Sequence, residues 1–206
     1  MSRNYAGLSR ERIIVEALHI ISGRGLGGLS MRRLGDALEV EAMAVYHHFP
    51  LGKDQLFNAI AAYVTSPTGT PLADTAAEER EQDGGPDTTE AVDPGPWDAR
   101  LTDWARTYRA RLLEHSGALS LLVHRAPRTP VQGATHALVH GAFEDAGLSG
   151  SGVERAADAL YSYCIGSVIH EVRHQDDEDA PDAAEREARF GFGLRALLRG
   201  LAHPER

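Results

Sequence analysis

Cysteine is almost absent. The 206 residues contain one, Cys164, so no disulfide can form within the chain. That suits a reducing compartment. Long apolar runs are missing too. None approaches the roughly 18–20 residues needed to cross a bilayer. Met1–Gly7 lacks the apolar core of a secretory leader. Together these absences predict a cytoplasmic protein with no membrane partner. Positive charge is also scarce, with 21 Lys and Arg against 30 Asp and Glu and a net charge of −9. A basic field is thereby excluded as the source of any affinity for an anionic partner.

The charge is unevenly placed. Residues 1–65 hold seven basic and six acidic side chains, and residues 66–96 hold eight acids against Arg80 alone. The rest of the chain carries 13 basic and 16 acidic residues. The middle stretch is rich in Pro, Gly, Thr, Asp and Glu and poor in large apolar residues. It has too little to bury to offset its ordering entropy. We read three segments: a first unit over 1–65, a disordered acidic linker over 66–96, and a second unit over 97–206.

Helical periodicity dominates both units. Ile13, Ile14, Ala17, Leu18 and Ile21 mark a first helix over Ser9–Ser22, capped by Ser9 and stopped by Gly23 and Gly25. Ser30 starts a short second helix with Met31, Leu34 and Leu38 inward. Glu39-Val40-Glu41 is a tight connection, and Ala42–His48 is a third helix broken by Pro50 and Gly52. Asp54–Thr65 is a fourth, with Leu56, Phe57, Ile60 and Val64 inward. Beyond the linker, Leu101, Trp104, Ala105, Tyr108, Leu112 and Leu113 form another stripe. A short apolar segment, Leu119–Val123, leads into a proline-flanked turn. Helices follow over about Val131–Ala146 and Gly152–His174. An acidic, mobile stretch is expected over Gln175–Glu187, and a last helix over Ala188–Ala202. No strand signal competes, so the fold class is all-α.

A short helix, a tight turn and a third helix backed by a supporting first helix fit a helix-turn-helix DNA reader. Spacing alone fits a plain helical hairpin in a bundle equally well. The segment Leu29–Leu56, LSMRRLGDALEVEAMAVYHHFPLGKDQL, resembles the DNA-binding motif of the tetracycline-repressor (TetR) family. The telling parts are the apolar-Ser start, the Ala-Val-Tyr-His-His-Phe run, Pro50, and Lys53 opening a fourth helix. The resemblance implies that Ala42, Met43 and Ala44 face bases. It also implies that Ser30, Arg32, Tyr46, His48 and Lys53 meet phosphates, roles that donors of these kinds can fill. Two positions depart from the family pattern. Glu39 stands where the turn usually has Gly, and a left-handed non-Gly residue costs about 1–2 kcal/mol. The turn is therefore expected to be strained or differently shaped. Leu51-Gly52 makes the approach to Lys53 one residue longer than usual.

The segment Trp97–Gln175 is similar to the regulatory domain of the tetracycline repressors. The likeness lies in Trp97, Leu112-Leu113-x-His115, the His124–Pro130 turn, Gly166 with Val168, and His174-Gln175, and the Phe190–Leu201 stripe matches the last helix. It implies a homodimer formed through a four-helix bundle. Ala157, Leu160, Cys164, Val168 and Val172 have the helical spacing of such a seam, or of a core within one chain. The resemblance also aligns His124 with a histidine that helps hold a magnesium–drug chelate, and Arg128 with an arginine of the same loop. Trp104 stands in place of an asparagine, Gly69 in place of a histidine, and His170 in place of an acidic residue of the partner subunit. The implied pocket of Trp104, Tyr108, His124, Arg128, His140 and His170 is more aromatic and richer in imidazole. It suits a planar or amphipathic ligand other than tetracycline. Taken alone, each histidine reads more readily as a surface or satisfied core residue than as a ligand contact.

These readings converge on a ligand-responsive repressor that binds a pseudo-palindromic DNA operator as a homodimer and is released by a small-molecule inducer. An activator or a constitutive DNA-binding protein of the same fold would share every feature. A metal-dependent enzyme built on His124, His140 and His174 is the contrasting class. No short HExxH spacing and no nucleophile motif around Cys164 supports it. No cofactor is expected. A metal, if used, would enter with a chelated ligand at His124.

Overall fold

Ser9 turns an extended entry into a helix. Its hydroxyl accepts the Arg12 amide at 3.1 Å and starts α1, Arg10–Arg24. Gly25, at φ +66°, ends it by donating its amide to the Ile21 carbonyl at 2.8 Å. The computed structural model describes residues 7–65, 95–124 and 134–202. Over these residues the remaining helices are α2 (Met31–Ala37), α3 (Ala42–His48), α4 (Lys53–Thr65), α5 (Trp97–Glu114), α6 (Leu119–His124), α7 (Ala134–Asp145), α8 (Ser151–Arg173) and α9 (Ala183–Ala202). No strand occurs among the described residues, and none of their helices is long and apolar enough to cross a membrane. Residues 66–94 of the expected linker, and residues 125–133, which hold the proline-flanked turn and the expected start of the helix at Val131, lie outside the described residues.

The chain forms two compact units whose boundary differs from the expected one. The first contains α1–α4 and also residues 114–124, which sequence reading assigned to the second. The reason is local packing. The 3-10 turn Ser116–Ala118 lies on α1 so closely that a Cβ on Gly117 would come within 3.3 Å of Ser22 Cα and 3.4 Å of the Ile21 carbonyl. The segment continues into α6, which packs on α4. Ile13, Ile21, Leu34, Val45, Phe49, Leu56 and Ile60 are at most 1% exposed and form the centre of this unit. Fully burying each such side chain contributes roughly 1.5–3 kcal/mol.

The second unit contains α5, α7, α8 and α9, with α8 packed against both α7 and α9. That sandwiching consumes the α8 stripe. Ala157 is 2% exposed, and Leu160, Cys164 and Val168 are 0% exposed within one chain. These four residues are core within one chain, one of the two readings their spacing allowed, and Val172 is left half-buried. The large apolar side chain left outside on α9 is Phe192, at 71% exposure. The start of α9 is a second correction. It begins at Ala183, inside the stretch expected to be mobile. The Asp182 carboxylate accepts the Glu185 amide at 2.8 Å, Arg186 donates to the Pro181 carbonyl at 2.6 Å, and Arg186 pairs with Glu171 at 3.1 Å. Acidic residues at a helix N-terminus cap it and complement its dipole, so the acid-rich composition marked a helix start.

Candidate DNA interface and ligand cavity

In the first unit, α3 is pressed against α2 by a close backbone approach. The Val40 amide donates to the Gly35 carbonyl at 2.9 Å. A Cβ on Gly35 would lie 3.0 Å from the Val40 carbonyl and 3.1 Å from the Ala42 nitrogen. Glu39 makes the turn at φ +58°, and it is the non-glycine residue with positive φ among those described. The turn therefore keeps the left-handed shape, with the strain that a Glu there entails.

The opposite face of α3 is open. Met43 is 63% and Tyr46 38% exposed, and together with His47 and Pro50 they line a shallow hollow. Ala42 is half-buried at the helix start. Ala44 is 3% exposed and belongs to the packing face with Val45. Its expected place among base-facing residues is therefore corrected, because a side chain on the inner face of a two-turn helix cannot also meet a groove.

The flanking donors sit on three elements. Ser30 caps α2, its hydroxyl oxygen accepting the Arg33 amide at 3.2 Å and leaving the exposed O–H free to donate outward. Arg32 is exposed in the first turn of α2, and neighbouring Arg33 turns back onto the Gly28 carbonyl. His48 is half-buried at the end of α3, where its carbonyl accepts from Arg10 Nη1 at 2.8 Å. The same guanidinium lies 4.6 Å from the centre of the Phe49 ring. Lys53 begins α4 with its ammonium 5.0 Å from the Phe57 ring centre. The longer approach to Lys53 is absorbed by Gly52 at φ +70° and by Gln55 Oε1, which accepts the Leu51 amide at 3.0 Å. It leaves Leu51 79% exposed beside the donors. Sequence reasoning missed Gly35, Arg10 and Leu51. Only Gly35 carried a signal, a glycine inside a short helix.

In the second unit, Trp104 and Tyr108 stack one turn apart on α5, with ring centres 4.9 Å apart and planes at 16°. Tyr161 of α8 stands edge-on to both, at 5.2 and 6.0 Å. Trp104 Nε1 and the Tyr161 hydroxyl are buried without a hydrogen-bond partner among the described residues. Burial raises the Tyr108 phenol well above its ordinary range, and burial with Cys164 nearby pushes Tyr161 up to about 12. Burial likewise pushes the Cys164 thiol up to about 12, so it behaves as a small apolar core residue. Tyr161 was not foreseen, since it lies off the apolar stripe of α8.

The remaining expected ligand residues lie apart from this cluster. His140 stacks on His136 at 3.6 Å, and its Nε2 is 3.8 Å from a Glu154 oxygen. His170 stacks on His174 at 4.4 Å and lines a cavity of about 440 Å³ with Tyr163, Glu171, Arg186 and Phe190. Glu154 and His170 are 16 residues apart on α8, about 24 Å along the axis. One chain therefore brings Trp104 and Tyr108 together but leaves His140 and His170 at opposite ends of α8. The set His124, His140, His174 gains no support, because His140 and His174 flank the same long helix at its two ends. The side chain of His124, and Arg128 altogether, lie outside the described residues.

One polar network was not legible in the sequence. Arg109 donates to Glu171 at 2.7 Å and to Glu187 at 2.8 Å, with its guanidinium 5.2 Å from the Phe190 ring centre. It joins α5 to α8 and α9. Its members are 62 and 78 residues apart in the chain, beyond any local pattern.

The family profile "Bacterial regulatory proteins, tetR family" matches residues 13–60. The profile "Tetracyclin repressor-like, C-terminal domain" matches residues 89–189. An HTH-type transcriptional regulator of Saccharopolyspora erythraea is 29% identical over 179 residues, covering 85% of this chain and 67% of that one. The class E tetracycline repressor of Escherichia coli is 26% identical over 216 residues, covering 96% and 92%. A solved structure of a possible TetR family regulator from Streptomyces coelicolor A3(2) is 25% identical, with a TM-score of 0.69 over 96% of this chain and 100% of that one.

Proposed function

The chain belongs to the TetR family of bacterial transcriptional regulators, and on that footing we propose that it is a cytoplasmic repressor released from DNA by a small molecule. The dimer binds a pseudo-palindromic operator, since two-fold symmetric reading helices require symmetric half-sites. The observation that carries this reading is the outward face of α3, where Met43 and Tyr46 stand exposed on a helix whose other face is fully packed. Met43, with Ala42 beside it, reads base edges. Ser30, Arg32, Tyr46, His48 and Lys53 meet phosphates and position the helix. Ala44 supports the contact from inside. The first segment carries a charge of only +1, so affinity rests on these few contacts and on α3 sitting in the groove.

The inducer proposed for the second unit is planar and carries hydrogen-bonding groups. Trp104 and Tyr108 supply a stacked aromatic pair, 5% and 1% exposed, that such a ligand reaches by opening the packing around it. Trp104 Nε1 and the Tyr161 hydroxyl are unpaired polar groups that such a ligand would satisfy. His124 and Arg128 supply further polar contacts, and His140 and His170 lie at the margins. Release follows if the ligand binds the DNA-incompetent arrangement more tightly than the competent one.

The test compares two variants on specific and random duplexes at fixed salt. Tyr46→Ala weakens both by a similar factor, because a phosphate contact carries no sequence information. Met43→Ala changes the ranking of operator variants in a selection from randomised half-sites. Equal loss on specific and random DNA for Met43→Ala would overturn the base-reading role.

A further inference from the structure

Three metal-ligating side chains converge in the second unit, away from the aromatic cluster. His136 and His140 lie on α7 and Glu154 on the first turns of α8, and one ligand atom from each falls within 4.8 Å of the others. The spacing explains the first pair. Residues four apart on a helix stand one above the other on the same face, and here the two imidazole rings are 3.6 Å apart at 26°. Packing between α7 and α8 supplies the third member. The His140 side chain is 15% exposed and Glu154 67% exposed, with Nε2 and Oε2 3.8 Å apart.

We propose that His136, His140 and Glu154 form a binding site for a divalent transition metal of the zinc class. Two imidazoles and one carboxylate are a borderline-soft donor set that favours zinc, nickel, cobalt or copper over magnesium or calcium. Metal–ligand bonds of about 2.0–2.2 Å in tetrahedral geometry place donor atoms about 3.3 Å apart. The present spread of 4.8 Å closes by a change of the exposed Glu154 side chain together with a turn of the two stacked imidazoles, so that one nitrogen lone pair of each ring points at the ion while α7 and α8 stay in place. The α7 backbone fixes the four-residue spacing of the two half-buried histidines, and each ring turns about its own side-chain torsions. Three protein ligands leave a fourth position open, to be filled by water or by an anionic group of a ligand. The ion would tie α7 to α8, two helices otherwise joined there by apolar packing through residues such as Val139, Phe143 and Val153. This site takes His140 from the margin of the proposed inducer pocket and uses none of Trp104, Tyr108 or His170.

The experiment uses the full chain, stripped of metal with a chelator and desalted. Cobalt(II) is titrated as a spectroscopic substitute, and zinc is then added in competition. The expected result is one cobalt per chain with visible ligand-field bands, displaced by zinc, and a higher melting temperature with either metal. His140→Ala removes that equivalent and its bands. Glu154→Gln keeps the metal-free melting temperature but weakens binding at least about tenfold, as loss of a direct ligand should exceed the effect of losing an outer-shell partner. The chain has ten histidines, so binding elsewhere is the competing outcome. Wild-type stoichiometry and affinity in both variants would overturn the proposal, as would the absence of ligand-field bands in the wild type. If His140→Ala fails to fold, the exposed Glu154→Gln variant decides alone.

Discussion

Glu39 is the clearest case of a single residue working against its backbone. Its φ of +58° is a conformation that glycine adopts freely and glutamate does not. The turn keeps that shape because Gly35 lets the Val40 amide reach its carbonyl and α3 pack against α2. Substituting Glu39→Gly should relieve about 1–2 kcal/mol of strain, less about 0.5–1 kcal/mol from greater freedom in the unfolded chain. The expected outcome is a gain of about 0.5–1 kcal/mol in a urea unfolding curve, with unchanged operator affinity. This departure was readable from the residues, since a charged residue in a turn position that favours glycine stands out. Which way the conflict resolved was not readable. Tertiary packing decided that the backbone would keep its shape and the residue would bear the strain.

Helix boundaries were legible wherever a hydroxyl or glycine marks them. Ser9, Gly25 and Ser30 do so: α1 starts after Ser9 and stops at Gly25, and α2 starts after Ser30. α9 shows the opposite case. Its first turn is acidic and exposed, with no inward apolar residue before Phe190 to announce it. It forms because Asp182 caps it and Arg186 pairs with Glu171 of α8. Asp182→Ala should therefore destabilise the second unit by about 1 kcal/mol, the usual cost of losing an N-cap. Chemical denaturation measures this directly. Hydrogen exchange should show faster opening of the amides at residues 184–186, with the amides near Leu194 and Leu198 unaffected.

For the whole molecule, the question is how two copies meet. The α8 stripe has the spacing of a seam, yet one chain buries it completely at Leu160, Cys164 and Val168. A partner must then use what remains outside. Phe192, 71% exposed on α9, is the large apolar side chain available there, and exposed aromatics of this kind anchor protein interfaces. Phe192→Arg should shift the protein toward monomer in sedimentation equilibrium. It should also weaken operator binding much more than binding to a single half-site, because only a dimer gains from two linked contacts. An unchanged dimer with Phe192→Arg would place the interface elsewhere.

Periodicity and punctuation were enough to determine the helical class, the three short helices of the DNA-reading motif and the identity of most core residues, because helix formation depends on local spacing and on caps within a turn or two. The same local signals cannot say what lies across from a helix. Tertiary structure alone turned Ala44 inward, placed residues 114–124 with the first unit, set Tyr161 against Trp104 and Tyr108, and closed Arg109 between Glu171 and Glu187. It also separated His140 from His170 along α8 while bringing His136 and His140 to Glu154. These pairings join residues distant in the chain, and their positions follow from how the helices pack rather than from any spacing within one of them.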